Sequence, residues 1–226
     1  MTFTIVARGA GRAGMQFGLA IASSSPAVAA RCAHARSACG AVATQNITDP
    51  ALGPRTLAAL GAGATGPDAL AAVLNSTPYG EYRQLLAIGR EGPPAVHTGG
   101  RALGTHALAL GKDAAAAGNL LASNGVPHAM LEAYTLATGS LAERLLLALR
   151  AGLAAGGEAG PVHSAGLLVV EHVSWPIIDL RVDWDETDPV GALENLYRIY
   201  APQVDDYVGR ALNPTRAPSY GVPGDP

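Results

Sequence analysis

The sequence predicts an α+β fold built as a layered sandwich, and three observations predict it. Apolar, β-branched runs come in neighbouring pairs, helical patterns sit between them in blocks, and the order is strands, helices, strands, helices, strands, helix. A regular βαβ alternation, which favours a parallel doubly wound sheet, is not the pattern. At 226 residues the chain suffices for one well-packed domain, with residues 1–212 as that domain and 213–226 as a Pro/Gly-rich C-terminal tail expected to be poorly ordered.

Each element has a local reason. Thr2–Arg8 and Met15–Ala22 read as strands, nearly continuous in apolar residues, joined by the glycine turn GAGRAG. Gly40–Gln45 is a third buried strand. Pro54 and Pro67 suit the first turns of helices over Arg55–Gly61 and Asp68–Asn75. Strands follow at Tyr82–Gly89 and Ala95–Thr98 around the turn Glu91–Pro94, with another at Ala117–Ala122. His128–Leu153 carries the longest helical pattern, broken near Thr138–Gly139 and ended at Gly156–Gly157. Strands Ser164–Glu171 and Ile177–Asp183 pair around His172–Pro176, and Pro189 opens a last helix running through Leu196 towards Ala211.

Composition excludes several classes of function. The formal net charge is −3 and the 15 Lys and Arg form no basic stripe, so nucleic acid is not an expected partner. Apolar runs such as Ala165–Val170 fall far short of the ~20 residues that span a bilayer, so no membrane partner is expected. No secretion signal is visible, and Cys32 and Cys39 make no disulfide framework. A reduced, cytoplasmic protein is the simple reading. Ala-rich helices leave flat apolar faces, which predicts a homo-oligomer.

The common motifs fail on context. GAGRAG at Gly9–Gly14 matches the dinucleotide fingerprint, but a strand follows it and residues 30–37 offer no acidic group for a ribose. GAGATG at Gly61–Gly66 leaves a helix and reads as a helix-to-helix loop. There is no nucleophile elbow, no H-E-x-x-H and no Walker loop. Cys32, His34 and Cys39 match no common zinc spacing, so buried cysteines are the favoured account. Asp183–Asp188 lacks the glycine and terminal Glu of an EF-hand and reads as a solvated loop, with Asp188 capping the last helix. No metal and no cofactor are expected.

Chemistry enters at the first strand. A small residue after Met1 lets the initiator be removed, leaving Thr2 at the N-terminus. A terminal threonine joins a hydroxyl nucleophile to its own base, an α-amine with a pKa of about 7.7–8.0. That base is nearly matched to neutral pH.

Several blocks fall in a familiar order: TFTIVA, FGLAIASSSPAV at Phe17–Val28, GAVATQNITDPALGPR at Gly40–Arg55, HTG at His97–Gly99 and GNLLAS at Gly118–Ser123. They continue with LAERLLLALRAGLAAGGE at Leu141–Glu158, SAGLLVV at Ser164–Val170 and DLRVD at Asp179–Asp183. Over about residues 2–198 the chain resembles a bacterial and archaeal family catalogued as domain of unknown function one thousand and twenty-eight. The resemblance implies a four-layer α-β-β-α sandwich like that of the N-terminal-nucleophile (Ntn) hydrolases. Thr4 stands where the family's opening has serine, Ser25 where a basic residue is common, and Val162-His163 where a polar pair is usual. Where those positions bind substrate in the family, the departures imply a different substrate preference for this chain.

The functional expectation is a cofactor-free hydrolase of a non-peptide C–N bond in a small molecule. The bond belongs to a linear or cyclic amide, or to an enamine or imine that releases ammonia. The alternative is a non-catalytic protein on the same fold that binds a small molecule or cell-wall fragment. The expected catalytic residues are Thr2, Asn119 and His97. Asn119, with the backbone around Thr44–Gln45, would meet the oxyanion, or Asn119 simply bonds a turn. His97 orients substrate or relays a proton, or is a hydrogen-bonded core histidine. Ser23, Ser24, Thr44, Gln45, Asn46 and Thr98 are the expected substrate-binding residues, though Ser23 and Ser24 can equally terminate a strand. Asp179 and Arg181 share a strand face and read as a structural ion pair.

Overall fold

The computed structural model describes residues 1–222. The opening run forms β1 (Thr2–Ala10), which turns through Gly11–Gly14 into β2 (Met15–Ser23). Their antiparallel register runs from Phe3 opposite Ala22 to Ala10 opposite Met15, so GAGRAG is a hairpin turn. The short helix α1 (Val28–Cys32) and strand β3 (Ala33–Arg36) come next, then β4 (Gly40–Asn46). Two helices follow, α2 (Leu52–Gly61) and α3 (Gly66–Asn75). Thr65 caps α3, its hydroxyl accepting from Asp68 N, and Pro67 sits in the first turn.

The second half repeats the logic. β5 (Arg83–Gly89) pairs with β6 (Ala95–Thr98), and β7 (Ala107–Leu110) with β8 (Ala114–Asn119). Helix α4 (Val126–Leu136) stops before Gly139, and α5 (Leu141–Ala154) starts on a reciprocal capping box between Ser140 and Glu143. β9 (Ser164–Val170) and β10 (Ile178–Val182) are antiparallel neighbours. Asp188 caps α6 (Pro189–Tyr200), accepting from Gly191 N.

Three sequence expectations are corrected here. The strand expected at 117–122 is β8, three residues earlier, and it consists mostly of alanines buried on both faces. The last helix is interrupted at Pro202, whose missing N–H breaks the ladder, and resumes as α7 (Val204–Leu212). The elements α1, β3 and β7 are additional, each four or five residues long. Of the expected tail, residues 213–222 are described and include a turn at Pro214–Arg216. The remainder, 223–226, lies outside the described residues.

The result is a mixed α+β fold with two antiparallel sheets. One has the order β10-β9-β2-β1-β8-β7, the other β3-β4-β5-β6. Side-chain alternation divides the apolar residues among three cores. Phe3 and Ile5 of β1 pack with Met130 of α4, Leu145 and Leu149 of α5 and Leu193 of α6. Val6, Phe17, Leu19 and Ile21 meet Ala41, Ala43, Leu86 and Ile88 of the other sheet. Val42 and Leu85 pack against Leu52, Leu57 and Leu70 of α2 and α3. Each fully buried Leu, Ile or Phe contributes about 1.5–3 kcal/mol. Among the described residues no helix is long and apolar enough to cross a membrane.

Candidate functional site

The residues facing the middle core change character along their strands. On β1 the face that carries Val6 carries Thr4 and then Thr2; on β2, Ile21 is followed by Ser23. Ala117 of β8 gives way to Asn119, Ala43 of β4 to Gln45, Leu86 of β5 to Gln84, and Val96 of β6 to Thr98. Register sets these changes at one end of the molecule. Thr2 lies opposite Asn119, Phe3 opposite Ala22, and Gln84 opposite both Gln45 and Thr98.

The polar side chains bond across the two sheets. Gln84 Nε2 donates to the Gly118 carbonyl (3.1 Å) and to Thr98 Oγ1 (3.0 Å). A carbonyl can only accept, so Gln84 Oε1 must point the other way, where it accepts from Gln45 Nε2 (2.7 Å) and Asn119 Nδ2 (3.1 Å). Gln45 Nε2 also reaches the Ala117 carbonyl (3.3 Å), which leaves Gln45 Oε1 to accept from Thr4 Oγ1 (2.6 Å). Backbone carbonyls therefore fix the amide orientations of Gln84 and Gln45, and Gln84 Oε1 in turn fixes that of Asn119. One atom is left over: Asn119 Oδ1 is buried and has no hydrogen-bond partner. Leaving such an acceptor unpaired costs about 1–3 kcal/mol, so it marks a place for a donor.

Thr2 heads this end. Its side chain is buried, its hydroxyl donates to the Met1 carbonyl, and it lies 3.4 Å from Ser23 Oγ. Ser23 Oγ donates to the same carbonyl and accepts from Ser25 N at 3.0 Å. Two hydroxyls thus converge on one carbonyl oxygen.

A carboxylate completes the surroundings. Gly156 (φ +115°) and Gly157 (φ +56°) turn the chain out of α5 in conformations that favour glycine. Glu158 then bridges Leu121, and both its carboxylate oxygens accept from Ser24 N at 3.1 Å. Burial pushes its carboxyl up to about 7, against the opposing pull of the Ser24 donors, the N-terminal amine and His163.

The expected site residues divide accordingly. Thr2, Ser23, Gln45, Thr98 and Asn119 come together, and Ser24 joins them through its backbone. Thr44 and Asn46 flank Gln45 on the opposite face of β4. Thr44 Oγ1 bonds the Asp49 carbonyl, while Asn46 bonds the Tyr82 carbonyl and accepts from Leu103 N. His97 sits on the face of β6 turned from the network, its Nε2 3.0 Å from the Gly80 carbonyl. Sequence reasoning missed Gln84, Glu158 and the structural role of Thr4. Strict alternation was the available signal, since it separates Thr44 from Gln45 and His97 from Thr98.

The other candidates are accounted for locally. Cys32 Sγ lies 3.6 Å from Thr48 Oγ1, and Cys39 Sγ accepts from Arg36 Nε at 3.0 Å. Among the described residues no group of three His, Cys, Asp or Glu is placed to hold a metal ion. Asp179 and Arg181 form a two-pronged ion pair, 2.8 Å in each arm.

Comparison with known proteins agrees with this architecture. Residues 2–193 match the Family of unknown function (DUF1028), and the chain belongs to that family. It is similar to the crystal structure of protein SPO2555 from Silicibacter pomeroyi, which carries the same family label. The two share 30% identity over 88% of this chain and 89% of the other, with a TM-score of 0.80. No curated protein matches.

Proposed function

We propose that this member of the family is a cofactor-free hydrolase of a non-peptide C–N bond in a small molecule, with Thr2 as nucleophile once Met1 is removed. The observation that carries the reading is the position of the Thr2 hydroxyl. It faces the polar end between the sheets, beside Ser23 and opposite Asn119 with its unpaired Oδ1.

In this reading Thr2 Oγ attacks the carbonyl carbon and its proton passes to the α-amine. The adduct collapses, the C–N bond breaks, and the α-ammonium returns the proton to the leaving nitrogen. Water then cleaves the Thr2 ester with the amine as base, releasing the acid. Ser23, whose hydroxyl already donates to a carbonyl here, meets the oxyanion. Asn119 presents Oδ1, an acceptor, and so orients an N–H of the substrate. The polar chain Thr4–Gln45–Gln84 keeps Asn119 in that orientation.

The finer fold reading, a four-layer α-β-β-α sandwich of the Ntn type, is supported by the three cores lying between successive helices and sheets. The exposed Leu136, Leu147 and Ile199 support self-association, and two free thiols suit a reduced, cytoplasmic setting.

The test is a screen of linear amides and lactams for released ammonia or amine, run with N-terminal mass spectrometry. Turnover by a chain beginning at Thr2, abolished in Thr2→Ala, is the expected result. Retained Met1 in an active preparation, or undiminished turnover in Thr2→Ala, would overturn the reading.

A further inference from the structure

Strand β1 ends at Thr2, but the place ahead of it in the sheet is not left open. Ala122 N donates to the Gly157 carbonyl (3.0 Å) and Ala159 N to the Leu120 carbonyl (2.9 Å), with Leu121 opposite Glu158. Leu120 and Leu121 directly follow Asn119, the partner of Thr2. Residues 157–159 therefore run in line with β1, head-on to its amino end. On the other side of that line, Ser24 extends β2 and donates to the Glu158 carboxylate. Met1 reaches into the same corner, where its Cε approaches Gly160 closely enough to touch an added Cβ (3.4 Å).

We propose that Glu158 is the positioning residue of the nucleophile, its carboxylate holding the α-amine that processing leaves on Thr2 and exchanging a proton with it. This rests on the reading of Thr2 as a terminal nucleophile. A carboxylate has about four lone-pair sites. The donors that reach Glu158 are those of Ser24. A buried carboxylate so thinly satisfied has room for a cation, and the cation the topology brings to it is the amine at the head of β1. The other titratable group facing Glu158 is His163, which stacks on Trp184 at 4.3 Å and lies 3.8 Å from Glu186. Neither Ser24 nor Leu121 titrates. A carboxyl pushed up by burial beside an α-amine shares one proton with it, and the pair titrates in two macroscopic steps. Passing that shared proton to Glu158 leaves the amine uncharged and ready to accept the hydroxyl proton.

The sequence makes this measurable. Lys112 is the single lysine, so the chain has two primary amines, and Lys112 lies at the far end of β8 from Asn119. Trace acetylation with isotopic acetic anhydride between about pH 5.5 and 9.5, followed by peptide mapping, reads both amines, with Lys112 as internal standard. The α-amine of the wild type is expected to react in two steps. In Glu158→Gln a single step is expected, with its midpoint lowered by about one pH unit, and Lys112 unmoved. A single-step profile in the wild type overturns the proposal even where the variant does not fold, and so does an unchanged midpoint in a folded variant. Intact mass separates the two failures. Retained Met1 defeats the hydrolase reading and the role of Glu158 together, whereas a free Thr2 amine indifferent to Glu158 defeats only the latter.

Discussion

Toward Phe17 and Ile88 the facing sides of the two sheets meet through Val6, Leu19, Ile21, Leu86 and Leu168, all buried and all apolar. Toward Thr2 and Gln84 the same strands present threonines, glutamines, serine and asparagine, equally buried. The first end gains stability by removing apolar surface from water and needs nothing in return. At the second, each amide and hydroxyl must find a partner, and one, Asn119 Oδ1, does not. One continuous interface is thus stability at one end and unspent hydrogen-bonding capacity at the other. An apolar filling there would be about as stable, so the polar end is not accounted for by stability alone.

Substitutions at the two ends should therefore separate function from stability. Thr2→Ala is expected to lower turnover at least about 10³-fold while the fold persists, by amide hydrolysis and circular dichroism respectively. Phe17→Ala, at the apolar end, should lose roughly 3–5 kcal/mol in urea titration, with activity per folded molecule unchanged. Asn119→Ala is expected to cost about 100-fold in turnover, through lost orientation of the substrate, yet less than about 1 kcal/mol of stability, since it removes an unpaired acceptor along with one hydrogen bond. If its stability loss matched that of Phe17→Ala, the distinction between the ends would collapse.

The smallest effect is a pH dependence. Glu158 holds its proton more tightly folded, near 7, than at its ordinary value of 4.5. Its contribution to stability is whole below that ordinary value and is lost as pH rises through 7. Glu158→Gln does not titrate, so it should gain on the wild type between pH 5 and pH 8 by roughly 1–3 kcal/mol in paired urea titrations. A constant difference would mean that the carboxyl is not buried as described.

Much of this was legible in the sequence, and the rest was not for definite reasons. Prolines 54, 67 and 189 lie in the first turns of their helices, and the glycine turn marks the β1–β2 hairpin. The run Ala114–Ala117 misleads, because alanine favours helix locally and becomes strand here only through burial between two layers. Elements as short as α1 and β7 carry too few residues for a period to register. At the site, Thr2 could be singled out by its place after a removable Met1, and Asn119 as an amide donor in the GNLLAS block. Gln84 could not, since its partners Gln45, Thr98 and Asn119 come from three other strands. Glu158 was hidden in a glycine turn that looked like a helix stop, and only the bridge to Leu121 reveals where it points.

The central claim is that Thr2 is the nucleophile of the polar end. Incubating the protein with p-nitrophenyl acetate and mapping the acetyl group by mass spectrometry tests it most directly. A hydroxylamine-labile acetyl ester on the Oγ of a Thr2 that begins the chain, absent in Thr2→Ala, is the result expected. Acetylation confined to the two primary amines and surface residues, or a chain that keeps Met1 while turning over amides, would contradict it.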